Sequence, residues 1–339
     1  MKEPTRYIHI GYPKCASTAL QTHFFSRHTD LHHLGAGSGG SIASYVNSEI
    51  LTEIEVSLRI EKDSVFNQDN SRRIFNKEFS TAYELNKLAV GISSESLSFT
   101  MHHDIDPSQK ATRLHSIFGQ NTRIIIVIRE QWALLKSLYR EYVLGGLHLT
   151  FDEFTKSIYY NQARSCLFDL NFANTQSLYA DLFGKENVLI IAFENLRDYA
   201  AENLAVIQNH IGIQVKIDSL PKENTKEDAY LLESARRLNC AVRLNHARSV
   251  IEPIGAFRYP EYFEKKLGVP IAPSIVDDQN YIDRIRDLAN PKKIPYKTQP
   301  ISYDIDPLIK ERIDSLFKEW NSRLANPDNL TLDRLGYIM

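Results

Sequence analysis

The sequence predicts a three-layer, P-loop-like α/β fold with a central parallel sheet flanked by helices. Three observations carry this reading. Four short apolar runs, residues 7–10, 88–92, 123–128 and 188–192, read as parallel strands buried on both faces. Segments of helical period lie between them. The first run feeds directly into Gly11-Tyr12-Pro13-Lys14-Cys15-Ala16-Ser17-Thr18, a turn that opens a helix. Strand–helix alternation implies right-handed crossovers. Ligands of such sheets gather at the carboxyl ends of the strands.

The elements follow in chain order. Residues 18–27 carry Leu20 and Phe24 four apart, the start of a helical face. Residues 32–44 hold Gly35, Gly37, Gly39 and Gly40 and are expected to form a flexible loop. Residues 131–144 place Leu134, Leu135, Leu138, Tyr139, Tyr142 and Val143 on one stripe of 3.6-residue period. Residues 196–211 do the same with Leu204, Ile207 and Ile211. Residues 253–307 contain eight of the thirteen prolines, so a loop-rich cover over the core is expected there, placed to shape a substrate pocket. Residues 307–324 are amphipathic through Leu308, Ile309, Ile313, Leu316, Phe317 and Trp320 and read as a packing helix.

Composition narrows the function classes. The chain has 339 residues, 43% of them apolar and 24% charged, ordinary for a globular protein with a substantial core. A net charge of −2 gives no global attraction to nucleic acid or an anionic membrane, so any anion site must be local. Cys15, Cys166 and Cys240 are too few and too scattered for a disulfide framework or a zinc site. A reduced, cytoplasmic protein without a membrane span is expected, since no stretch approaches the roughly 18–20 apolar residues of one. A single sequon, Asn329-Leu330-Thr331, arises easily by chance.

The chemistry centres on the first turn. A strand, a tight turn and a helix N-terminus aim backbone N–H groups at an anion. In a Walker A loop the lysine follows the second glycine. Here Lys14 comes three residues after Gly11, Ala16 stands where the second glycine would be, and Ser17 holds the lysine's place. Lys14 is therefore a candidate for neutralising charge on a leaving phosphate oxygen. The competing reading is a helix capped by Ser17 or Thr18 with Lys14 solvated. Arg129 follows the third run, and Ser137 comes eight residues later on a helix. Together they can hold a phosphate, the arginine through its forked donors. Taken singly, Arg129 reads as an ion-pair partner and Ser137 as helix filler. The adjacent pairs His32-His33 and His102-His103 do not face one site on a helix, so no metal site is expected.

Taken together, Tyr12-Pro13-Lys14-Cys15-Ala16-Ser17-Thr18 after the first strand and Ile126-Val127-Ile128-Arg129 with Ser137 beyond it resemble the sulfotransferase family, in its bacterial and carbohydrate-type members. Two further passages are similar to the family's pattern: Phe193-Glu194-Asn195-Leu196 leading to Ile211-Gly212, and Trp320-Asn321-Ser322-Arg323-Leu324 with Gly336-Tyr337. The resemblance implies a single sulfotransferase domain over residues 1–339. Its donor would be 3′-phosphoadenosine-5′-phosphosulfate (PAPS), used without a metal. Lys14, Cys15, Ala16, Ser17, Thr18 and Ala19 would hold the 5′-phosphosulfate. Arg129 and Ser137 would hold the 3′-phosphate, and Lys14 would stabilise the bridging oxygen as the S–O bond breaks.

Glu95, after the second run in Gly91-Ile92-Ser93-Ser94-Glu95, is the candidate general base by the same resemblance, with His102 and His103 as rivals. Its alternative role is to begin a helix. The family's late basic Arg-Lys-Gly loop has no counterpart here. The acceptor class stays open among glycan, lipid and small-molecule alcohols. Two other functions stay open: a P-loop kinase or NTPase, and a non-catalytic sulfotransferase-like binding module.

Overall fold

The computed structural model describes residues 2–37, 45–100, 104–144, 146–221, 229–242, 299–325 and 331–339. They fall into two compact units. The first comprises Met1–Gln131, Cys166–Glu223 and Ser315–Met339, and the second Trp132–Ser165 and Asn224–Asp314.

The first unit is built on a five-stranded sheet. Its strands are β1 Thr5–His9, β2 Leu31–Gly37, β3 Ala89–Ser94, β4 Arg123–Ile128 and β5 Val188–Ala192. The order across the sheet is β2-β3-β1-β4-β5, and every pairing is parallel. Helices flank the sheet: Gln68–Glu84 packs on β2 and β3, Phe172–Phe183 on β4 and β5, and Ala200–Ile211 on β1, β4 and β5. All of β3 is buried, as is β4 beyond Arg123, which accounts for their unbroken apolar or small-residue sequence. Gly91 is required by this packing, because a Cβ there would lie 1.9 Å from the carbonyl oxygen of Tyr7.

The four expected strands form, 123–128 and 188–192 with the expected ends and the other two with ends shifted by one or two residues. The expectation of a loop from residue 32 is corrected: residues 31–37 are strand β2, and 38–44 lie outside the described residues. The glycines hid the strand. Gly35 makes room for the Tyr45 ring, whose Cδ1 would sit 2.2 Å from a Cβ, and the register shifts between His33 and Gly35. As an edge strand, β2 also lacks the apolar run of a central one. The helix expected over 18–27 forms as Ser17–Ala19 continuing into a π-helical stretch, Leu20–Phe25.

The C-terminal residues close onto this unit. Gln131 and Asn321, both fully buried, exchange amide hydrogen bonds of 2.6 and 3.2 Å, and Asn321 Nδ2 also donates to Ile338 O at 2.9 Å.

In the second unit, the helix Gln131–Leu144 contributes Tyr139, which meets Phe151, Phe154 and Tyr303 in one aromatic cluster. The helix Phe151–Tyr160 starts at a capping box formed by Thr150 and Glu153. Of the proline-rich stretch, residues 253–298 lie outside the described residues, so the expected cover is not described. Among the described residues no helix is long and apolar enough to cross a membrane.

Candidate active site

The turn after β1 is fixed before it begins. Past the end of the strand, Ile10 N donates to Ile125 O at 3.0 Å and Tyr12 N to Val127 O at 3.2 Å, so the chain stays zipped to β4. Tyr12 is buried. Its hydroxyl pairs with Thr175 Oγ1 at 2.7 Å and its ring meets the edge of Phe172. This pairing sits where the strand order reverses: β1 leads on to β2 on one side and β4 to β5 on the other. Ligands of open α/β sheets bind at such a switch point.

Two residues of the turn, Lys14 and Ala16, take the left-handed conformation, each at φ +62°, and Cys15 between them does not. Alternation of this kind turns successive N–H groups toward one side and makes an anion-binding concavity. Ala16 is the N-cap of the following helix and makes no side-chain cap. Capping by Ser17 or Thr18 is thus not the arrangement found. Ser17 is buried, and its hydroxyl donates to Tyr12 O at 3.2 Å. Thr18 is exposed and Ala19 buried. The first N–H groups of a helix without a side-chain cap are the ones that favour an anion.

Cys15 is fully buried, with Sγ 3.5 Å from Pro13 O. Burial pushes its thiol well above the usual range. The Arg129 charge acts in the opposite sense, while Glu194 and Glu95 add to the rise. Cys15 is therefore a packing residue of the turn, not a thiolate. The same three charges mark what surrounds the loop.

Arg129 follows β4 directly. Its Nη1 donates to the carbonyl oxygen of Lys14 at 2.9 Å, and its guanidinium lies 4.8 Å from the centre of the Phe193 ring. The structure thus joins two of the sequence-selected residues, Lys14 and Arg129, across the switch point. Glu194, buried after β5, was missed by sequence reasoning. Its Oε1 accepts from Glu130 N at 3.1 Å and its Oε2 from the Tyr337 hydroxyl at 3.1 Å. The signal was the Phe193-Glu194 passage itself, which places a carboxylate at a strand end beside an arginine.

Glu95 stands at the carboxyl end of β3 and opens a 3-10 turn, Glu95–Leu97, so the helix-start reading holds together with the edge position. It is half-buried. The segment is tied to the turn after β1, where Ser98 Oγ donates to Gly11 O at 3.2 Å. His102 and His103 lie outside the described residues. Ser137, half-buried on Gln131–Leu144, belongs to the second unit; in the first, Arg129 is bonded to Lys14, and the Glu95 charge acts on the adjoining Cys15. Among the described residues no group of three or more His, Cys, Asp or Glu could hold a metal ion.

Beneath the loop lies His9, on β1. Its Nδ1 pairs with Ser93 Oγ at 2.7 Å, and Ser93 Oγ accepts from Gln21 Nε2 at 3.1 Å. Which of the two carries the shared proton depends on the imidazole tautomer, and the other ring nitrogen of His9 is Nε2. That atom is buried and has no hydrogen-bond partner. Burial lowers the His9 pKa to about 3. Its ring also fixes the residue above: a Cβ on Gly11 would sit 2.5 Å from His9 Nε2. Gly11 is a glycine because of the ring under it.

No family model matches the sequence, and no curated protein matches it. Solved structures do match the fold. The chain is similar to a sulfotransferase from Alicyclobacillus acidocaldarius, at 17% identity and a TM-score of 0.46 over 74% of this chain and 96% of that one. It is similar to a mouse sulfotransferase complexed with PAP, at 13% identity and a TM-score of 0.41 over 98% and 89%. A third likeness is the sulfotransferase domain of the Synechococcus olefin synthase, at 12% identity and a TM-score of 0.34 over 88% and 98%. Among these solved structures, what the chain is similar to is in each case a sulfotransferase.

Proposed function

We propose that this protein transfers a sulfuryl group from PAPS to an acceptor hydroxyl, releasing adenosine 3′,5′-bisphosphate. One observation carries the reading. The turn after β1 is bent into an anion cradle with Lys14 in it, and the same Lys14 is joined through its carbonyl to the arginine that ends β4. An anion cradle with a second cationic donor beside it suits a ligand that carries more than one phosphate group.

The donor supplies an activated sulfuryl group on a phosphate leaving group. The backbone N–H groups of residues 14–18 hold its 5′ end, and the Lys14 ammonium neutralises the charge that gathers on the bridging oxygen. Arg129, with Ser137 assigned from the sequence motif, holds the 3′-phosphate by charge-assisted bonds. Glu95 takes the acceptor proton as the new O–S bond forms. Catalysis on this reading is chiefly positioning and charge stabilisation.

The test is calorimetric titration with adenosine 3′,5′-bisphosphate and with Mg-ATP, followed by transfer from radiolabelled PAPS to a panel of glycan, sterol, phenol and alkanol acceptors. Adenosine 3′,5′-bisphosphate should bind more tightly, and Arg129→Gln should remove the preference for the 3′-phosphate. Lys14→Ala should lower turnover by about 10²–10³, the usual effect of losing one donor to a developing oxyanion. Tighter, Mg²⁺-dependent ATP binding indifferent to a 3′-phosphate would turn the reading to a kinase or NTPase. Binding without transfer to any acceptor would leave a binding module.

A further inference from the structure

The first unit contains four charged side chains that the site does not use and water does not reach. Glu55, Arg59, Asp104 and Lys110 have side-chain exposures of 0%, 2%, 2% and 0%. Arg59 donates from Nη1 to Glu55 Oε2 at 2.9 Å and from Nε to Asp104 Oδ1 at 2.8 Å. Lys110 donates to Asp104 Oδ2 at 2.8 Å. The chain of charges alternates in sign and sums to zero.

The far end of this chain reaches the segment that follows the candidate base. Lys110, on the helix Pro107–Phe118, gives its other two protons to the carbonyl oxygens of Ser96 at 2.6 Å and Phe99 at 3.0 Å. Three donors meet three acceptors, which only the protonated amine can supply. Ser96 lies in the turn that Glu95 opens, and Phe99 follows two residues after it. The same short segment is held at two more points: Ser98 Oγ on Gly11 O, and Thr100, whose N and Oγ1 donate to Asp169 at 2.8 and 3.1 Å.

Burying two ion pairs is rarely the cheapest way to stabilise a core, since apolar packing does as well. What a buried ammonium with fixed acceptors does well is hold a backbone in one place. We propose that Lys110 is a positioning residue for Glu95, fixing the turn at residues 95–99 through two carbonyls, with Asp104, Arg59 and Glu55 as its anchor. The inference rests on the role proposed above for Glu95. It extends the site inward to a layer that touches neither donor nor acceptor.

The experiment uses the full chain and two variants, Lys110→Met, which keeps the length and removes the donors, and the milder Asp104→Asn, which keeps the shape and weakens the anchor. Backbone hydrogen exchange should accelerate at least about 10-fold over residues 95–100 in both, while adenosine 3′,5′-bisphosphate still protects residues 11–18. With the best acceptor of the panel, Lys110→Met should lower kcat by about 10², the usual effect of a catalytic group displaced by an ångström, at unchanged affinity for adenosine 3′,5′-bisphosphate. In a Glu95→Gln background it should lower kcat no further, because the group it places is gone. A loss that multiplies with that of Glu95→Gln, or exchange over 95–100 that stays as slow as in the wild type, overturns the inference. Should Lys110→Met not fold, Asp104→Asn decides by the same readings. If the wild-type chain fails to bind the bisphosphate or to transfer sulfate, the function proposed above falls, and only the pinning measured by exchange survives.

Discussion

Gly11→Ala places one methyl group where the structure has no room for it. The added Cβ would lie 2.5 Å from His9 Nε2 and 3.0 Å from Cε1. Ordinary contact begins at 3.4 Å, so the ring or the turn must give by about 0.9 Å. The ring cannot swing away cheaply. It is fully buried, bonded to Ser93 and packed against Phe25 at 5.3 Å. The turn is equally held, by the main-chain bonds of Ile10 and Tyr12 to β4. Overpacking of this kind costs about 1–3 kcal/mol. Gly11→Ala should therefore lower the unfolding free energy by that amount, measured by urea denaturation, and weaken adenosine 3′,5′-bisphosphate binding by disturbing the cradle. The cause can be isolated with a double-mutant cycle. His9→Ala alone costs stability by leaving a cavity, but added to Gly11→Ala it should remove the clash, giving a favourable coupling of about 0.5–3 kcal/mol. Strict additivity of the two substitutions would refute the argument, because the ring would then not be what excludes a side chain at position 11.

Two predictions concern pH. Burial lowers His9 and His33 to about 3, so the unfolded chain takes up protons that the folded one does not as pH falls below the ordinary histidine value. Stability should be level above about pH 6.5 and then drop by about 2 kcal/mol for each histidine by about pH 5. Denaturation in urea at the two pH values should show it as a drop about 2 kcal/mol smaller in His33→Phe than in the wild type; identical profiles for the two would contradict it. Asp169 has the opposite sign: burial raises its carboxyl to about 6, so its favourable contribution is complete below the ordinary carboxylate value and lost as pH rises through about 6. The stability difference between Asp169→Asn and wild type should move in favour of the variant by about 2 kcal/mol between about pH 4 and pH 8, and a constant difference would exclude this account.

The central strands were legible because parallel strands buried on both faces must be apolar throughout, and residues 124–128 satisfy that rule without interruption. Strand β2 was not legible, because an edge strand with Gly35 under the Tyr45 ring and paired histidines carries no such run. The helix Pro107–Phe118 was readable in principle from Asp106, Pro107 and Gln109, which form its capping box with proline in the first turn. At the site, Lys14 and Arg129 stood out through spacing, and their contact is short and direct. Lys110 and Arg59 did not stand out, since a lone lysine or arginine in a helical stretch reads as a solvated side chain. Only the folded chain reveals that each has its counter-charge 45 or fewer residues away and no water.

The bond between Arg129 and Lys14 ends on a carbonyl, not on the amine. Position 14 therefore does two separable jobs, one through its side chain and one through its main chain. Any residue that tolerates the left-handed conformation would keep Arg129 seated while changing the charge presented to a ligand. A Lys14→Asn variant, drawn from the residues most at ease there, would retain the wiring and lose only the cation. The loop's architecture and its electrostatics can thus be altered one at a time, and a loss of turnover at position 14 can be assigned to charge, without suspicion that the second anchor has come loose.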